Sequence, residues 1–168
     1  MNAEEIRALQ APLKARYRSA PEAALVTLRA EGKLSDGISC SVETGRALVQ
    51  AGLHPATGGS GELACSGDML LQALVACAGV TLNAVATALG IEVQEGTLLA
   101  EGDLDFRGTL GVDREAPVGF RSIRLTMRLR SKATAEDLEK LLRLTERYCV
   151  VYQTLRGNPE LTVSLNAA

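Results

Sequence analysis

One long uncharged segment limits what this chain can fold into. Residues 69–91 contain no Asp, Glu, Lys or Arg, and Cys77 stands near their middle. A helix of this length would measure about 33 Å, enough to cross a bilayer. However, no basic cluster flanks either end, and four polar residues are spread along it: Gln72, Thr81, Asn83 and Thr87. We therefore expect no membrane span but a helix buried in protein, covered by sheet on one side and by a partner subunit on another.

The bulk composition is that of a globular protein. The 168 residues are 46% hydrophobic and 23% charged, which suits one domain with a sizeable core. We expect a helical extension over residues 1–20 and a single domain over residues 21–168. The net charge of -2 and the five Tyr and Phe residues together argue against nucleic acid as a partner. The first 18 residues lack the pattern of an export signal, which predicts a cytoplasmic protein.

The N-terminal half reads as a helix followed by strands. Apolar residues at spacings of three and four predict a peripheral helix within residues 3–18. Strands are expected over residues 24–34 and 38–43, joined by the turn Ser35-Asp36-Gly37, and a further turn leads into residues 46–50. The stretch from 51 to 67 is rich in Gly and Pro and predicts a long loop, with Ser66 and Asp68 opening the central helix.

The C-terminal half reads as two strands, a helix and a last strand. A strand is expected from residue 91 to 104 or 106, with a bulge near Gly96. Residues 123–129 alternate apolar side chains with Arg and Thr, so one face should be buried and the arginines solvated. Thr134 and Asp137 predict the cap of a helix that continues to about residue 151, and residues 161–165 predict a final strand. The order indicates an α+β fold on antiparallel sheet.

Two of the four cysteines fall on helices that must share a core. Cys40, Cys65, Cys77 and Cys149 form no CxxC pair and are too sparse for a disulfide scaffold. A thiol attacks a peroxide only as thiolate, so it needs a nearby cation or a helix N-terminus. Cys77 lies in mid-helix, so we expect the cation to come from elsewhere. Attack would give a sulfenic acid, and a second thiol such as Cys149 could condense with it to a disulfide.

Two motifs resemble those of the OsmC/Ohr family of organic hydroperoxide resistance and osmotically inducible proteins. Residues 66–81 (SGDMLLQALVACAGVT) are similar to that family's central helix, with acid, aliphatic run, cysteine and threonine in register. Residues 148–155 (YCVVYQTL) resemble its second cysteine motif. The resemblance covers residues 24–168, and two motifs at the proper separation are more specific than either alone.

The resemblance implies a fold, an activity and roles for four residues. The expected fold is an intertwined homodimer in which curved antiparallel sheets wrap two long central helices. Cys77 would attack an organic hydroperoxide, Cys149 would resolve the product as a disulfide, and a lipoyl or similar dithiol would reduce it, with no cofactor or metal. Asp68 aligns with the family's glutamate and would orient an arginine, for which Arg46 is the candidate. Two departures stand out: Val150 where the family usually has proline, and Asp68 where it usually has glutamate.

Other interpretations of these residues stay open. Cys77 and Cys149 could be core hydrophobes, and the protein an OsmC-like binding or stress-response protein without peroxidase turnover. A hydrolase using Cys77 with His54, the single histidine, is a third interpretation, whereas one histidine with scattered cysteines lacks metal-ligand spacing. Cys40 and Cys65 are expected to be structural, although Cys65 could be an exposed, modifiable thiol. Residues 58–61 (GGSG) lack the lysine of a phosphate-binding loop.

Overall fold

The computed structural model describes residues 2–5, 8, 10–11, 19, 31–35, 39–43, 48–111 and 113–166. Residues 3–5, 8, 10 and 11 are helical, as predicted, and Asn2 and Glu5 open this helix with reciprocal side-chain bonds to each other's backbone N–H, each of 2.9 Å. Arg46, residues 36 and 37 of the predicted turn Ser35-Asp36-Gly37, and residues 24–30 of the first expected strand lie outside the described residues. The division at residue 20 stays a prediction.

Four short strands form the first sheet, in the order β1 to β4. Strands β1 (Glu31–Ser35) and β2 (Ser39–Glu43) pair antiparallel from Glu31↔Glu43 to Ser35↔Ser39, which confirms the predicted hairpin. Strand β3 (Leu48–Gly52) continues the antiparallel sheet, and the two-residue β4 (Ala64–Cys65) joins β3 in parallel. This last strand delivers the chain directly to the central helix.

The predicted central helix is present as α1 (Ser66–Leu89), shifted by a few residues from the expected 69–91. It begins at Ser66 because Cys65, and not Ser66, has the extended conformation of the N-cap residue. It ends because Gly90 takes a left-handed conformation with φ of 72°. The N–H of Ile91 then donates to the Ala86 carbonyl at 2.9 Å and that of Gly90 to Thr87 at 3.2 Å, the usual glycine-terminated end of a helix.

A second, two-stranded sheet lies against α1. Strands β5 (Val93–Asp103) and β6 (Ser122–Ser131) pair antiparallel, and the bulge falls between Val93 and Glu95, two positions before the expected Gly96. A one-turn helix, α2 (Phe106–Thr109), occupies part of the connection. The alternation predicted for β6 is confirmed, and two of its outward arginines are ion-paired across the sheet: Arg124 with Asp103, and Arg130 with Glu95.

The prediction of a single helix over residues 134–151 is wrong, because the helix is interrupted at Cys149. Helix α3 (Ala135–Tyr148) starts at the predicted cap, where Thr134 Oγ1 accepts from the Asp137 N–H at 3.1 Å. Cys149 has an extended backbone (φ -73°, ψ 106°), and a separate helix α4 (Val150–Gly157) follows it. The Cys149 N–H still donates to the Thr145 carbonyl at 2.9 Å, and its own carbonyl accepts from the Gln153 N–H at 2.9 Å.

Helix α1 is the element around which the others pack. It contacts β5, α3 and α4, and two buried clusters lie along it. One contains Leu82, Val85, Ala86 and Leu141; the other contains Leu74, Ala78 and Cys149. Within the described residues α1 is also the one helix whose length and composition would suit a membrane span, a test that core helices of soluble proteins pass as well. The fold is a mixed α+β fold, as predicted.

The predicted strand over residues 161–165 is not formed. Residues 158–166 carry no helix or strand, and Leu161, Val163 and Leu165 are 85%, 98% and 94% exposed. A strand requires a neighbouring edge to which its backbone can bond, and the described part of the chain places none beside this segment. Residues 161–165 therefore have the alternating apolar pattern of a strand but no neighbouring strand with which to pair among the described residues.

Two adjacent leucines on α3 test how the core is built. Leu141 is 1% exposed and packs on α1, whereas Leu142 is 47% exposed. We expect Leu141→Ala to lower the free energy of unfolding by about 2–5 kcal/mol, and Leu142→Ala by about 1 kcal/mol or less. Urea unfolding followed by circular dichroism measures both values. Equal losses in the two variants would mean that α3 does not pack as described.

Candidate redox-active site

The break between α3 and α4 brings the two predicted cysteines together. Cys77 is the twelfth residue of α1, and Cys149 is the residue between the two C-terminal helices. Both belong to one packed cluster, in which Cys149 is 1% exposed and Cys77 is half-buried. The two side chains pack against each other, and each thiol shifts the pKa of the other. The structure therefore joins two positions that are 72 residues apart in sequence.

The environment of Cys77 favours its thiolate. Burial alone would raise the pKa of this thiol, but four donors outweigh it: the N–H of Val151, the Cys149 thiol, the N–H of Val150 and the Thr81 hydroxyl. The net result is a pKa below the ordinary value of 9.0. Thr81 lowers the pKa of Cys77 the least of the four. Its hydroxyl has one proton, and it donates to the backbone carbonyl of Cys77 at 2.8 Å. The backbone N–H groups and the second thiol are thus the main donors.

The N–H donors come from the start of α4, which sequence reasoning did not foresee. We expected no helix terminus near Cys77 because the residue lies in the middle of its own helix. The terminus belongs to another helix: the first residues of α4 have N–H groups with no acceptor inside that helix. Such groups stabilise a nearby anion, and a thiolate at this position is the anion that they meet.

Cys149 is shifted in the opposite direction. Burial raises its pKa above 9.0, and the hydrogen bond and negative charge of Cys77 raise it further, against the lowering effect of the Tyr152 and Val151 N–H groups. As the pH rises, Cys77 is therefore the first of the two thiols to lose its proton.

Two cavities lie on the side of β6, and Cys149 lines the first of them. A cavity of about 230 Å³ is lined by Cys149 and by side chains that include Ala78, Leu125 and Met127. A neighbouring cavity of about 300 Å³ shares Leu125 and Tyr152 with it. Polar side chains share these walls, Glu146 in the first cavity and Arg121 and Arg156 in the second, so a ligand there would meet both apolar and polar groups.

Asp68 and Arg46, the other two predicted site residues, are not brought to the thiols. Asp68 lies nine positions before Cys77 on the same straight helix, which separates their Cα atoms by about 13 Å along the axis. It lines a different cavity, of about 360 Å³, together with His54 and Cys65. Arg46 is outside the described residues. No cation beside Cys77 is seen in the part of the chain that the structure describes.

His54 is not the base of a Cys77 hydrolase in this arrangement. Its ring stacks on Phe106 with centroids 5.0 Å apart, and its Nδ1 accepts from the Ala56 N–H at 3.0 Å. A neutral ring that accepts through Nδ1 carries its proton on Nε2, so no ring nitrogen is left to take a proton from a thiol. Cys77 does not line the cavity that contains His54.

Val150 and Val151 are the site residues that the sequence reasoning missed. Their side chains carry no chemistry, and they act through backbone N–H groups, which a side-chain pattern does not reveal. One signal was available: the family motif usually places proline after this cysteine, and proline is common at the first position of a helix. That preference indicated a helix start at residue 150. Within the described residues no cluster of His, Cys, Asp or Glu could hold a metal ion.

Comparison with known proteins agrees with the fold. No curated protein sequence matches the chain at a significant level. Among solved structures it is similar to an OsmC-like protein from Mycoplasma pneumoniae, with a TM-score of 0.66 and 19% identity over 79% of this chain and 89% of that one.

Two proteins named for organic hydroperoxide resistance are similar as well. The one from Elizabethkingia anophelis has a TM-score of 0.57 and 19% identity, over 80% of this chain and 91% of that one. The one from Bacillus subtilis has a TM-score of 0.53 and 20% identity, over 80% and 94%. Identities this low show a shared fold.

A match to a sequence family shows more than the shared fold. The family model described as OsmC-like protein matches residues 59–164, which is more than half of the 168-residue chain and includes both Cys77 and Cys149. With the two motifs, the fold and this match in agreement, the chain belongs to the OsmC-like protein family.

Proposed function

We propose that this protein is a thiol-dependent peroxidase that reduces organic hydroperoxides in the cytoplasm, with Cys77 as nucleophile and Cys149 as resolving thiol. One observation carries the proposal: Cys77 and Cys149, 72 residues apart in sequence, pack together in one buried cluster. The directions of their pKa shifts, downward for Cys77 and upward for Cys149, agree with these roles. Two relatives in fold are named organic hydroperoxide resistance proteins, which supports the choice of substrate.

In the first step the Cys77 thiolate attacks the terminal oxygen of the hydroperoxide. A sulfur–oxygen bond forms, the oxygen–oxygen bond breaks, and the remainder of the substrate leaves as an alkoxide. The Cys149 thiol is the adjacent proton donor. If it protonates the alkoxide, the products are an alcohol, a Cys77 sulfenic acid and a Cys149 thiolate. The peroxide is reduced by two electrons, and Cys77 is oxidised by two.

The second step closes a disulfide. The negative charge of Cys77, which raised the pKa of Cys149, has disappeared, whereas the N–H groups of Tyr152 and Val151 still favour a Cys149 thiolate. This thiolate attacks the sulfenic sulfur, and hydroxide leaves and is protonated to water. An external dithiol, of the lipoyl type or another, then reduces the disulfide by two thiol–disulfide exchanges and becomes a disulfide itself.

Asp68 and Arg46 are retained in this proposal, Asp68 as the acid that orients an arginine near a thiol and Arg46 as that arginine. The separation of about 13 Å along α1 rules out direct contact between the Asp68 carboxylate and Cys77 of the same chain. Asp68 would therefore act through an arginine or at a site formed with a second copy of the chain.

We also propose that the protein is an intertwined homodimer, with curved sheets around two central helices. One side of α1 supports this: Ala73, Ala76 and Val80, spaced three and then four residues apart, are exposed, and Val80 is 73% exposed. This spacing places them on one face, where a second helix can pack closely. An exposed apolar face on the longest helix is typical of an interface rather than of a solvated surface.

Two further surfaces are incomplete in one chain. Strands β5 and β6, of eleven and ten residues, form a sheet of two strands, and such a sheet is marginal unless extended or covered. The C-terminal segment presents Leu161, Val163 and Leu165 with no strand beside it among the described residues. A second copy would supply sheet edges and apolar faces of the matching kind.

The alternative function is that of an OsmC-like binding protein without useful peroxidase turnover. The cavities of about 230 and 300 Å³ beside Cys149 and Tyr152 favour it, since they have room for a small apolar ligand. The experiments below separate the two functions, because only the peroxidase requires Cys77 to be oxidised at the expense of the substrate.

The first prediction concerns the titration of the two thiols. Folding lowers the pKa of Cys77 and raises that of Cys149, so alkylation of Cys77 should reach half its maximal rate below pH 9.0 and that of Cys149 above it. Iodoacetamide labelling across a pH series, with peptide mass spectrometry, measures both midpoints. Because the folded state favours the Cys77 thiolate, this contribution to stability is present above the unfolded pKa and is lost as the pH falls through the folded value. If Cys149 titrates first, the assigned roles are reversed.

The second prediction concerns oxidation. One equivalent of cumene hydroperoxide should yield cumyl alcohol and a Cys77–Cys149 disulfide, seen as the loss of two hydrogens by mass spectrometry. Cys149→Ser should stop at the Cys77 sulfenic acid, which dimedone traps, and Cys77→Ser should reduce peroxide no faster than the uncatalysed reaction. Cys65→Ser is the matched control and should behave as the unaltered protein. Thiols that stay unmodified under excess peroxide would favour the binding protein.

The third prediction concerns the dimer. Val80→Arg would bury an unpaired charge in the proposed interface and should weaken association about 100-fold or more, whereas Val118→Arg, at a position 65% exposed in the loop before β6, should have no effect. Light scattering coupled to size-exclusion chromatography over a dilution series measures both. A dimer that survives Val80→Arg unchanged would place the interface elsewhere.

A further inference from the structure

We propose that a cleft between α3 and α4 binds a phosphate monoester of a small organic molecule, with Arg143, Arg147 and Arg156 holding the phosphate. The cleft has a volume of about 590 Å³, and these three arginines line it. Neither Cys77 nor Cys149 belongs to its walls. The inference therefore goes beyond the proposed peroxidase and does not depend on it.

The interruption between α3 and α4 brings the three arginines to one place. Arg143 and Arg147 are four positions apart on α3 and therefore lie on one side of that helix. Arg156 is in the last turn of α4, which follows the interruption. The Gln153 Nε2 donates to the Glu146 carbonyl at 2.7 Å and so joins α4 to α3. The cleft thus has walls from two helices that are bonded to each other.

The three guanidinium groups have no acidic partner among the described residues. Several other arginines of the fold form ion pairs, but Arg143, Arg147 and Arg156 form none, although Glu146 lines the same cleft. Three arginines against one glutamate leave the cleft with two positive charges, in a chain whose net charge is -2. Positive charge concentrated at one place on an acidic protein favours an anionic ligand there.

The favourable position of a cation at a helix end does not account for this arrangement. Arg147 and Arg156 each lie in the last turn of their helix, where the free carbonyls carry partial negative charge. That explains each of the two residues separately. Arg143 stands before the last turn of α3, and helix ends do not require three guanidinium groups to line one cleft.

A phosphate monoester suits both the charge and the donors of the cleft. It carries a charge of about -1.5 to -2 at pH 7 and presents three strong acceptor oxygens. Each guanidinium offers N–H donors in a planar fork that can bind two such oxygens at once. A carboxylate or a phosphodiester carries one negative charge and would leave part of the positive charge of the cleft unmatched. The monoester is therefore the better match.

A second cleft beside the first has room for the organic part of the ligand. It has a volume of about 450 Å³ and shares Arg147, Tyr148 and Gln153 with the first cleft. Val150, which is 69% exposed, and Pro159 also line it. The Arg147 guanidinium lies 5.8 Å from the centroid of the Tyr148 ring, a contact that stabilises this cation where the two clefts meet. With the phosphate at the arginines, an apolar group would cover Val150 and Tyr148.

The experiment measures the binding of phenyl phosphate to the full chain by isothermal titration calorimetry. We expect a dissociation constant of about 1 mM or below, and weaker binding of inorganic phosphate, which lacks the apolar group. Arg143→Gln and Arg156→Gln should each weaken binding about tenfold, because each removes charge-assisted hydrogen bonds. Arg128→Gln removes an exposed arginine of β6 outside both clefts and is the charge-matched control, which should bind as the unaltered protein does.

Three results would count against the site. Phenyl phosphate that gives no heat of binding, or equal losses in Arg128→Gln and Arg143→Gln, would overturn it, and inorganic phosphate that binds as tightly as phenyl phosphate would overturn the assignment of an organic ester. The substituted arginines are exposed, so the variants should unfold at the temperature of the unaltered protein, which circular dichroism measures. Cys77→Ser should bind phenyl phosphate unchanged, so this site stands or falls separately from the proposed peroxidase.

Discussion

The contact between Cys77 and Cys149 depends on one backbone event, the interruption of the last helical region at Cys149. A continuous helix would bond the N–H groups of residues 150–152 to carbonyls one turn earlier and would leave nothing to face Cys77. Because Cys149 is extended, α3 ends before it and α4 begins after it. The same residue thus supplies the second thiol and frees the donors that stabilise the first.

The parts of this fold that could be predicted from sequence are those in which each element follows its own pattern. Helix α1 follows from an uncharged run ended by Gly90, and β6 from the strict alternation around Leu125. The break at Cys149 could not be predicted in this way, because residues 148–151 suit a helix locally and the apolar stripe of α3 leads into them. Whether the helix continues through Cys149 also depends on how these residues pack against α1, and that packing exists only in the folded chain.

The same reasoning explains which parts of the candidate site a sequence can reveal. Cys77 and Cys149 could be named because they are thiols, and the resemblance of their two motifs to one family implied that they act as a pair. A cation was expected beside Cys77 because, in a sequence, the groups that can be recognised as stabilising a thiolate are charged side chains. Backbone N–H groups are present at every residue except proline, and only geometry shows which of them lack an acceptor. The final strand near Val163 was overpredicted for a related reason, since its alternation cannot reveal whether an edge is available.

The division of charge within the thiol pair has a consequence for how such a site can vary in sequence. The pKa of Cys77 is lowered mainly by the Val151 N–H, the Cys149 thiol and the Val150 N–H, so two of these three contributions come from the peptide backbone. Side chains at residues 150 and 151 can therefore change without removing the donors, provided that α4 still begins after the cysteine and proline is absent. At 19% identity the fold is retained in the OsmC-like protein of Mycoplasma pneumoniae. What must persist for this chemistry is a helix start placed against a thiol, which is a constraint on backbone position and only weakly a constraint on sequence.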